Sequence, residues 1–188
     1  MKKFFTIFFI CLAMAANISV ARADMIRVSD VDVQNFVHSI ANVIYSEEFQ
    51  KEKPLLLTNA AKIENTEFPE IGKTAYVCQF GLKTATAPDG EIIFFIDSEE
   101  KVFAFKIVGY SNQSAENASV LLFIALQNLG LTQADAEFLI NNLSDDEFLA
   151  SSIVWSETKN RCFVLMAGAR AQSAEGFQFV VVASDKKD

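Results

Sequence analysis

The chain has 188 residues, of which 24 are acidic and 16 are basic, so its net charge at pH 7 is −8. This balance argues against nucleic-acid binding, which needs clustered lysine and arginine to neutralise phosphates, and against adhesion to anionic lipid. Because His38 is the single histidine, catalytic triads and metal clusters that need two histidines are excluded.

The first 23 residues have the pattern of a bacterial signal peptide. Two lysines at positions 2 and 3 precede an apolar run over residues 4–16, and Ala21-Arg22-Ala23 has the small-x-small pattern of a cleavage site. The run is too short to span a bilayer. We therefore expect cleavage after Ala23 and a periplasmic or secreted protein. Cleavage would remove three basic residues, lower the net charge from −8 to −11, and leave 165 residues, enough for one domain with a core.

The segment after Ser29 has helical periodicity. Apolar residues recur at three- and four-residue spacing, which predicts a helix over residues 30–46 with Ser29 as its N-cap. His38 falls on the opposite, polar face of this helix together with Asn42 and Tyr45. These three residues are candidates for a binding patch, and an ordinary solvated helix face is the alternative.

Residues 47–72 are the least regular part of the sequence. They contain two prolines and many acids, and only Leu55–Leu57 have the composition of a strand. From Thr74 the apolar period changes to two, which predicts a strand there and further strands at 92–96 and 102–108. Turn residues separate these strands, so we expect an antiparallel meander.

A second helical block begins near Ser114. Residues 120–126 are seven consecutive apolar residues, which predict a helix buried on nearly all sides and ended by Gly130. Capping patterns at Thr132 and Ser144 predict short helices at about 133–142 and 145–150. Three further strands are expected at 152–156, 161–168 and 177–183.

The order of these elements predicts an α+β fold. We expect one antiparallel sheet of about six strands with helices on one face, in a single domain over residues 24–184 that is followed by a charged, disordered tail at 185–188. The order helix, three strands, helices, three strands is also what an internal duplication would give, although no residue-level repeat is visible.

Several predicted strands are apolar on both faces. The runs at 92–96, 162–166 and 179–182 do not alternate with polar residues, so both faces of the central strands should be shielded from water. The second face therefore needs a cover. The segment 47–72 is the simplest one, and a ligand cavity or a subunit interface are the alternatives.

Two cysteines remain after the expected cleavage, Cys78 and Cys162, in a compartment that permits disulfides. Both lie in apolar strand-like runs, so a bridge between them and two unbridged core cysteines are equally compatible with the sequence. Neither cysteine has the neighbouring base that a catalytic thiol needs.

No metal or cofactor motif occurs in the sequence. The acids Asp145-Asp146-Glu147 and those of the segment 47–72 are better explained by helix capping and solvation than by metal binding. Gly72-Lys73-Thr74 imitates the end of a phosphate-binding loop, but position 67 is glutamate rather than the required glycine. Trp155 is interpreted as a packing residue. We expect neither a bound metal nor a cofactor.

The resulting prediction is an exported, soluble, non-catalytic binding or protein-interaction module whose partner is an unknown protein or a small apolar ligand. Two alternatives remain. An exported hydrolase would use paired carboxylates converging in a pocket, and a structural homodimer subunit would use the second sheet face as its interface. The sequence does not decide between a monomer and a homodimer.

Overall fold

The computed structural model describes residues 25–143, 149–169 and 176–185. They form nine strands in one antiparallel sheet and four helices, which confirms the predicted α+β class. The elements in chain order are β1 (Met25–Ile26), α1 (Val33–Ile44), α2 (Glu47–Glu52), β2 (Leu55–Leu57), β3 (Ala61–Glu64), β4 (Thr74–Leu82), β5 (Gly90–Ile96), β6 (Val102–Gly109), α3 (Ala115–Asn128), α4 (Gln133–Asn141), β7 (Leu149–Ser156), β8 (Arg161–Ala169) and β9 (Phe177–Ser184).

The order of strands across the sheet is β2–β4–β5–β6–β9–β8–β7, with β1 also paired to β9 and β3 to β4. The predicted meander β4–β5–β6 is confirmed. Three short strands, β1, β2 and β3, raise the count from the expected six to nine. The order is symmetric about the central pair β6–β9, because a three-strand meander preceded by helices lies on each side. This is the topology that the hypothesis of internal duplication requires.

Helices cover one face of the sheet, and aromatic rings fill the space between them and the strands. The buried residues of α1 recur at helical spacing and include Phe36, whose ring centroid lies 5.8 Å from that of Phe94 on β5 and 6.2 Å from that of Phe105 on β6. Helix α3 is buried along most of its surface and packs against α1, α4 and β6. Gly130, at φ +85°, follows its end.

Helix α1 begins three residues later than predicted, at Val33, and its N-cap is Asp32 instead of Ser29. The reason is that the preceding residues join the sheet. The backbone N–H groups of Val28 and Ser29 donate to carbonyls at the start of β6, both at 3.1 Å. The hydroxyl of Ser29 instead accepts a hydrogen bond from the backbone N–H of Val31, two residues away.

The segment 25–30 connects the two halves of the sheet. Residues 25 and 26 pair with the end of β9, whereas residues 28 and 29 bond to β6. Arg161 at the start of β8 donates to the carbonyl oxygen of Arg27 at 2.6 Å and to the carboxylate of Asp30 at 3.1 Å. The guanidinium of Arg27 in turn lies 2.9 Å from the carboxylate of Asp97, directly after β5. This end of the sheet is therefore held by both halves of the chain.

Some predictions concern residues outside the described part of the chain. The expected signal peptide at 1–23 and residues 186–188 of the expected tail lie outside it. The helix expected at 145–150 lies mostly outside it, and its last two residues, Leu149 and Ala150, belong to β7.

The N-cap of α1 makes the stability of the fold depend on pH. The backbone N–H of Asn35 donates to the Asp32 carboxylate at 3.0 Å and holds the pKa of Asp32 below its usual value. A lowered pKa contributes stability that is present above the unfolded-state pKa and is lost as the pH falls through the folded-state pKa. We predict that Asp32→Ala lowers the free energy of unfolding by about 1 kcal/mol at pH 7 and that this difference shrinks toward about pH 3.

Urea unfolding at the two pH values measures this difference. Asp32→Asn is the matched control, because asparagine caps helices as well as aspartate but does not titrate. A difference between wild type and Asp32→Ala that stays constant over this pH range would contradict the assignment of the cap.

Candidate functional site

The three residues of the predicted binding patch lie on α1 and at its C-terminal end. His38 and Asn42 are exposed on its outer surface. Tyr45 is 47% exposed, but its hydroxyl donates to the carbonyl of Leu57 at 2.6 Å and accepts from the N–H of Leu57 at 2.9 Å. The hydroxyl of Tyr45 thus satisfies the outward-facing backbone groups of Leu57 on the edge strand β2.

Of the two alternatives that the sequence left open for Cys78 and Cys162, the structure confirms the one without a bridge: no disulfide joins them, and both are buried. Cys78 lies on β4 and Cys162 on β8, and three strands separate them. Four strand spacings amount to about 19 Å, whereas a disulfide needs Cα atoms within about 7 Å. The alternation along each strand also places Cys78 on the helix side and Cys162 on the other. Burial raises the pKa of Cys78 to about 12, so its thiol is protonated at neutral pH.

The side of the sheet that faces away from the helices, called the second face below, is apolar in its centre. The register aligns Ile93 on β5, Lys106 on β6, Val180 on β9 and Met166 on β8 in one row across the sheet. Directly paired residues on antiparallel strands point to the same side, so these side chains are neighbours. A second row runs parallel to it and contains Phe95, Ala104, Val182, Val164 and Ile153.

The loop between β3 and β4, residues 65–73, covers part of the second face and is called the flap below. Asn65 shapes it, because its side-chain amide nitrogen donates to the carbonyls of Phe68 and Gly72 at 2.6 and 2.8 Å and its amide oxygen accepts from the N–H of Phe68 at 2.9 Å. The ring of Phe68 packs edge-on against Phe95 at a centroid distance of 4.7 Å. Of the segment 47–72, which was expected to cover this face, residues 65–72 do so.

A charged pair lies under the flap. Lys106 points from the middle of β6 onto the apolar second face, its side chain is only 10% exposed, and its ammonium group is paired with the carboxylate of Glu67 on the flap. A buried ammonium without a partner is costly. The ion pair therefore fixes the flap over this position in addition to the packing of Phe68.

The flap leaves the half of the second face near β7 uncovered. Val164, Met166 and Val180 are partly exposed there, and Ile153 on β7 is 58% exposed. These four residues are called the open half below. At the other end of the flap is a cavity of about 270 Å³. It is lined by Met25, Glu70, Ile71, Asp97 and Phe103.

Two carboxylates, Glu70 and Asp97, line this cavity, which is the arrangement that the hydrolase alternative requires. The Asp97 carboxylate, however, already holds the adjacent turn. One oxygen accepts from the backbone N–H groups of Glu99 and Lys101 at 2.9 and 3.0 Å, and the other lies 2.9 Å from the guanidinium of Arg27. These structural bonds occupy both oxygens, so Asp97 is poorly suited to act as a nucleophile or base.

The sequence reasoning missed the residues that shape this site. Lys106 could have been recognised from the sequence, because it is the only charged residue in the apolar run of β6. Phe68 could not, because its role depends on how the flap folds. The acids Asp145-Asp146-Glu147 lie outside the described residues.

Comparison with known proteins gave no match: no family, no curated protein and no solved structure matches the chain. Within the described ranges, no group of three or more histidine, cysteine, aspartate or glutamate side chains is placed to hold a metal ion. None of the helices described is both long enough and apolar enough to cross a membrane. The second face is therefore the feature of the molecule from which a function can be inferred.

The pair Lys106–Glu67 gives a test of the flap. We predict that Glu67→Gln lowers the free energy of unfolding by about 1–2 kcal/mol, because it leaves the buried ammonium of Lys106 without its counterion while Glu67 itself is partly solvated. Lys106→Met should be as stable as wild type or more stable, since it removes the buried charge and keeps the length of the side chain. Chemical denaturation measures both.

Lys51→Met is the control, because it breaks the exposed pair Lys51–Glu47 on α2 and should change stability by less than about 0.5 kcal/mol. Equal losses of stability in Glu67→Gln and Lys106→Met would contradict this description of a buried, flap-bound ammonium.

Proposed function

We propose that this protein is an exported, non-catalytic binding module and that the open half of its second face is the binding surface for an apolar ligand or an apolar segment of a partner protein. The observation that carries this proposal is the partial cover of the second face. The flap buries one half with Phe68 and Ile71, while Val164, Met166, Val180 and Ile153 on the other half keep contact with water.

The flap gives a measure of how small a ligand could cover the open half. Two apolar side chains from one short loop, Phe68 and Ile71, pack into the cluster in which Phe95, Ala104 and Val182 are buried. A ligand or peptide with two or three apolar groups would cover an area of similar size on the open half. Each such group gains about 25 cal/mol per Å² of apolar surface removed from water. The face is preformed by five strands, so little ordering is needed on binding.

An apolar fluorescent dye tests the location of the surface. We predict that the neutral dye Nile red binds the purified protein with increased fluorescence and that Met166→Lys weakens this binding by about tenfold, because a charge replaces the centre of the apolar surface. Met166→Leu keeps the surface apolar and should bind like wild type. Fluorescence titration gives all three dissociation constants.

Val43→Lys is the matched control. Val43 is 42% exposed on α1, on the opposite side of the sheet, so its replacement should leave dye binding unchanged. Circular dichroism of each variant confirms that it is folded. Equal dye binding by wild type and a folded Met166→Lys protein, or an equal loss in Val43→Lys, would contradict the proposed surface.

A further inference from the structure

The two outer edges of the sheet are protected very differently. At one edge, the outward backbone groups of β2 are all bonded. The hydroxyl of Tyr45 is hydrogen-bonded to both the carbonyl and the N–H of Leu57. The Gln50 side chain donates to the carbonyl of Leu55 at 2.7 Å, and the N–H of Leu55 donates to the carbonyl of Lys53 at 2.8 Å. The neighbouring strand β3 has four residues, two of them charged. Such bonded, short and charged edges resist pairing with another chain.

The opposite edge, β7, lacks these protections over residues 150–154, as far as the described residues show. It is eight residues long and contains no proline and no charged residue. In the described part of the chain, the backbone of residues 150–154 is hydrogen-bonded to β8 alone. A long, uncharged edge strand offers a row of backbone donors and acceptors to a further strand.

Exposed apolar side chains flank this edge on both sides of the sheet. Ile153, on the second face of β7, is 58% exposed, and Phe138, on the helix α4, is 49% exposed. They are the two most exposed large apolar side chains of the described residues. Helix α4 packs on β7, where the hydroxyl of Ser152 donates to the carbonyl of Leu139. Ile140, on the opposite flank of α4 from Phe138, packs against the core.

We infer that β7 pairs antiparallel with β7 of a second copy of this chain and extends the sheet across a two-fold axis. A second copy fits because the edge is self-complementary. Each chain brings the same uncharged strand, so no like charges face each other even though the chain as a whole has a net charge of −8. Each chain also brings one exposed apolar residue on either side of the strand, and a two-fold interface joins the same patch of both subunits.

This inference goes beyond the proposed function and does not depend on it. Pairing of the two strands would bring Ile153 of each chain near the axis. The two open halves would then form one continuous apolar surface across the dimer.

Light scattering on gel-filtered protein across a range of concentrations tests the dimer. We expect wild type to have the mass of two chains. Ile153→Lys should raise the dimer dissociation constant by about tenfold or more, because two isoleucines lose burial and two ammonium groups approach each other. The matched control is Ile63→Lys, the same change at a 38% exposed position on β3, which should leave the dimer intact.

Phe138→Lys is a second test that leaves the strand itself unchanged, and it should also weaken the dimer. Circular dichroism confirms that each variant is folded. A monomeric wild type at all concentrations would overturn the inference. So would a dimer that survives both Ile153→Lys and Phe138→Lys, a dimer that Ile63→Lys disrupts equally, or a different polypeptide that occupies β7 in place of the second copy.

Discussion

The sheet has two apolar faces, but the helices cover only one of them, and this imbalance determines the rest of the structure. The flap of residues 65–73 partly covers the other face. Its Phe68 packs on Phe95, and its Glu67 forms an ion pair with the buried ammonium of Lys106. The flap is too short to cover the second face from β5 to β7. Among the residues that the structure describes, the apolar surface near β7 therefore stays uncovered, and such surfaces usually mark binding sites.

Much of the fold could be predicted from local patterns. The period-two strand β4, the apolar strands β5 and β6, the buried helix α3 and the Thr132 cap of α4 all agree with the sequence. The sequence was insufficient where contacts with residues distant in the chain determine the local structure. Ser29 is a good N-cap by composition, but hydrogen bonds from its segment to β6 draw it into the sheet, so the helix begins after Asp32. The disulfide was undecidable because strand order determines the separation of Cys78 and Cys162.

The sequence also contained the main clue to the candidate site, namely the absence of alternation in β5, β8 and β9. The sequence could not show what covers the second face. Strand β2 and the flap both come from the segment that was expected to cover it, but β2 pairs with β4 at the edge of the sheet and only the flap lies on the second face. Tyr45 illustrates the same limit. Its position on a polar helix face made it a candidate for ligand binding, whereas its hydroxyl is bonded to the backbone of Leu57, twelve residues away. The exposure of a side chain therefore does not distinguish a ligand-binding residue from one whose polar group bonds the protein's own backbone.

Strand β9 carries three consecutive valines in three different environments. Val180 lies on the open half, Val181 lies in the core under the helices, and Val182 is buried in the cluster of the second face that contains Phe68 of the flap. The most direct measurement is the paramagnetic broadening of their methyl NMR signals by a neutral gadolinium chelate in the purified protein. We expect strong broadening for Val180 and little for Val181 and Val182. Protection of Val180 equal to that of Val182 would show that the second face is fully covered and would rule out an open apolar surface near β7.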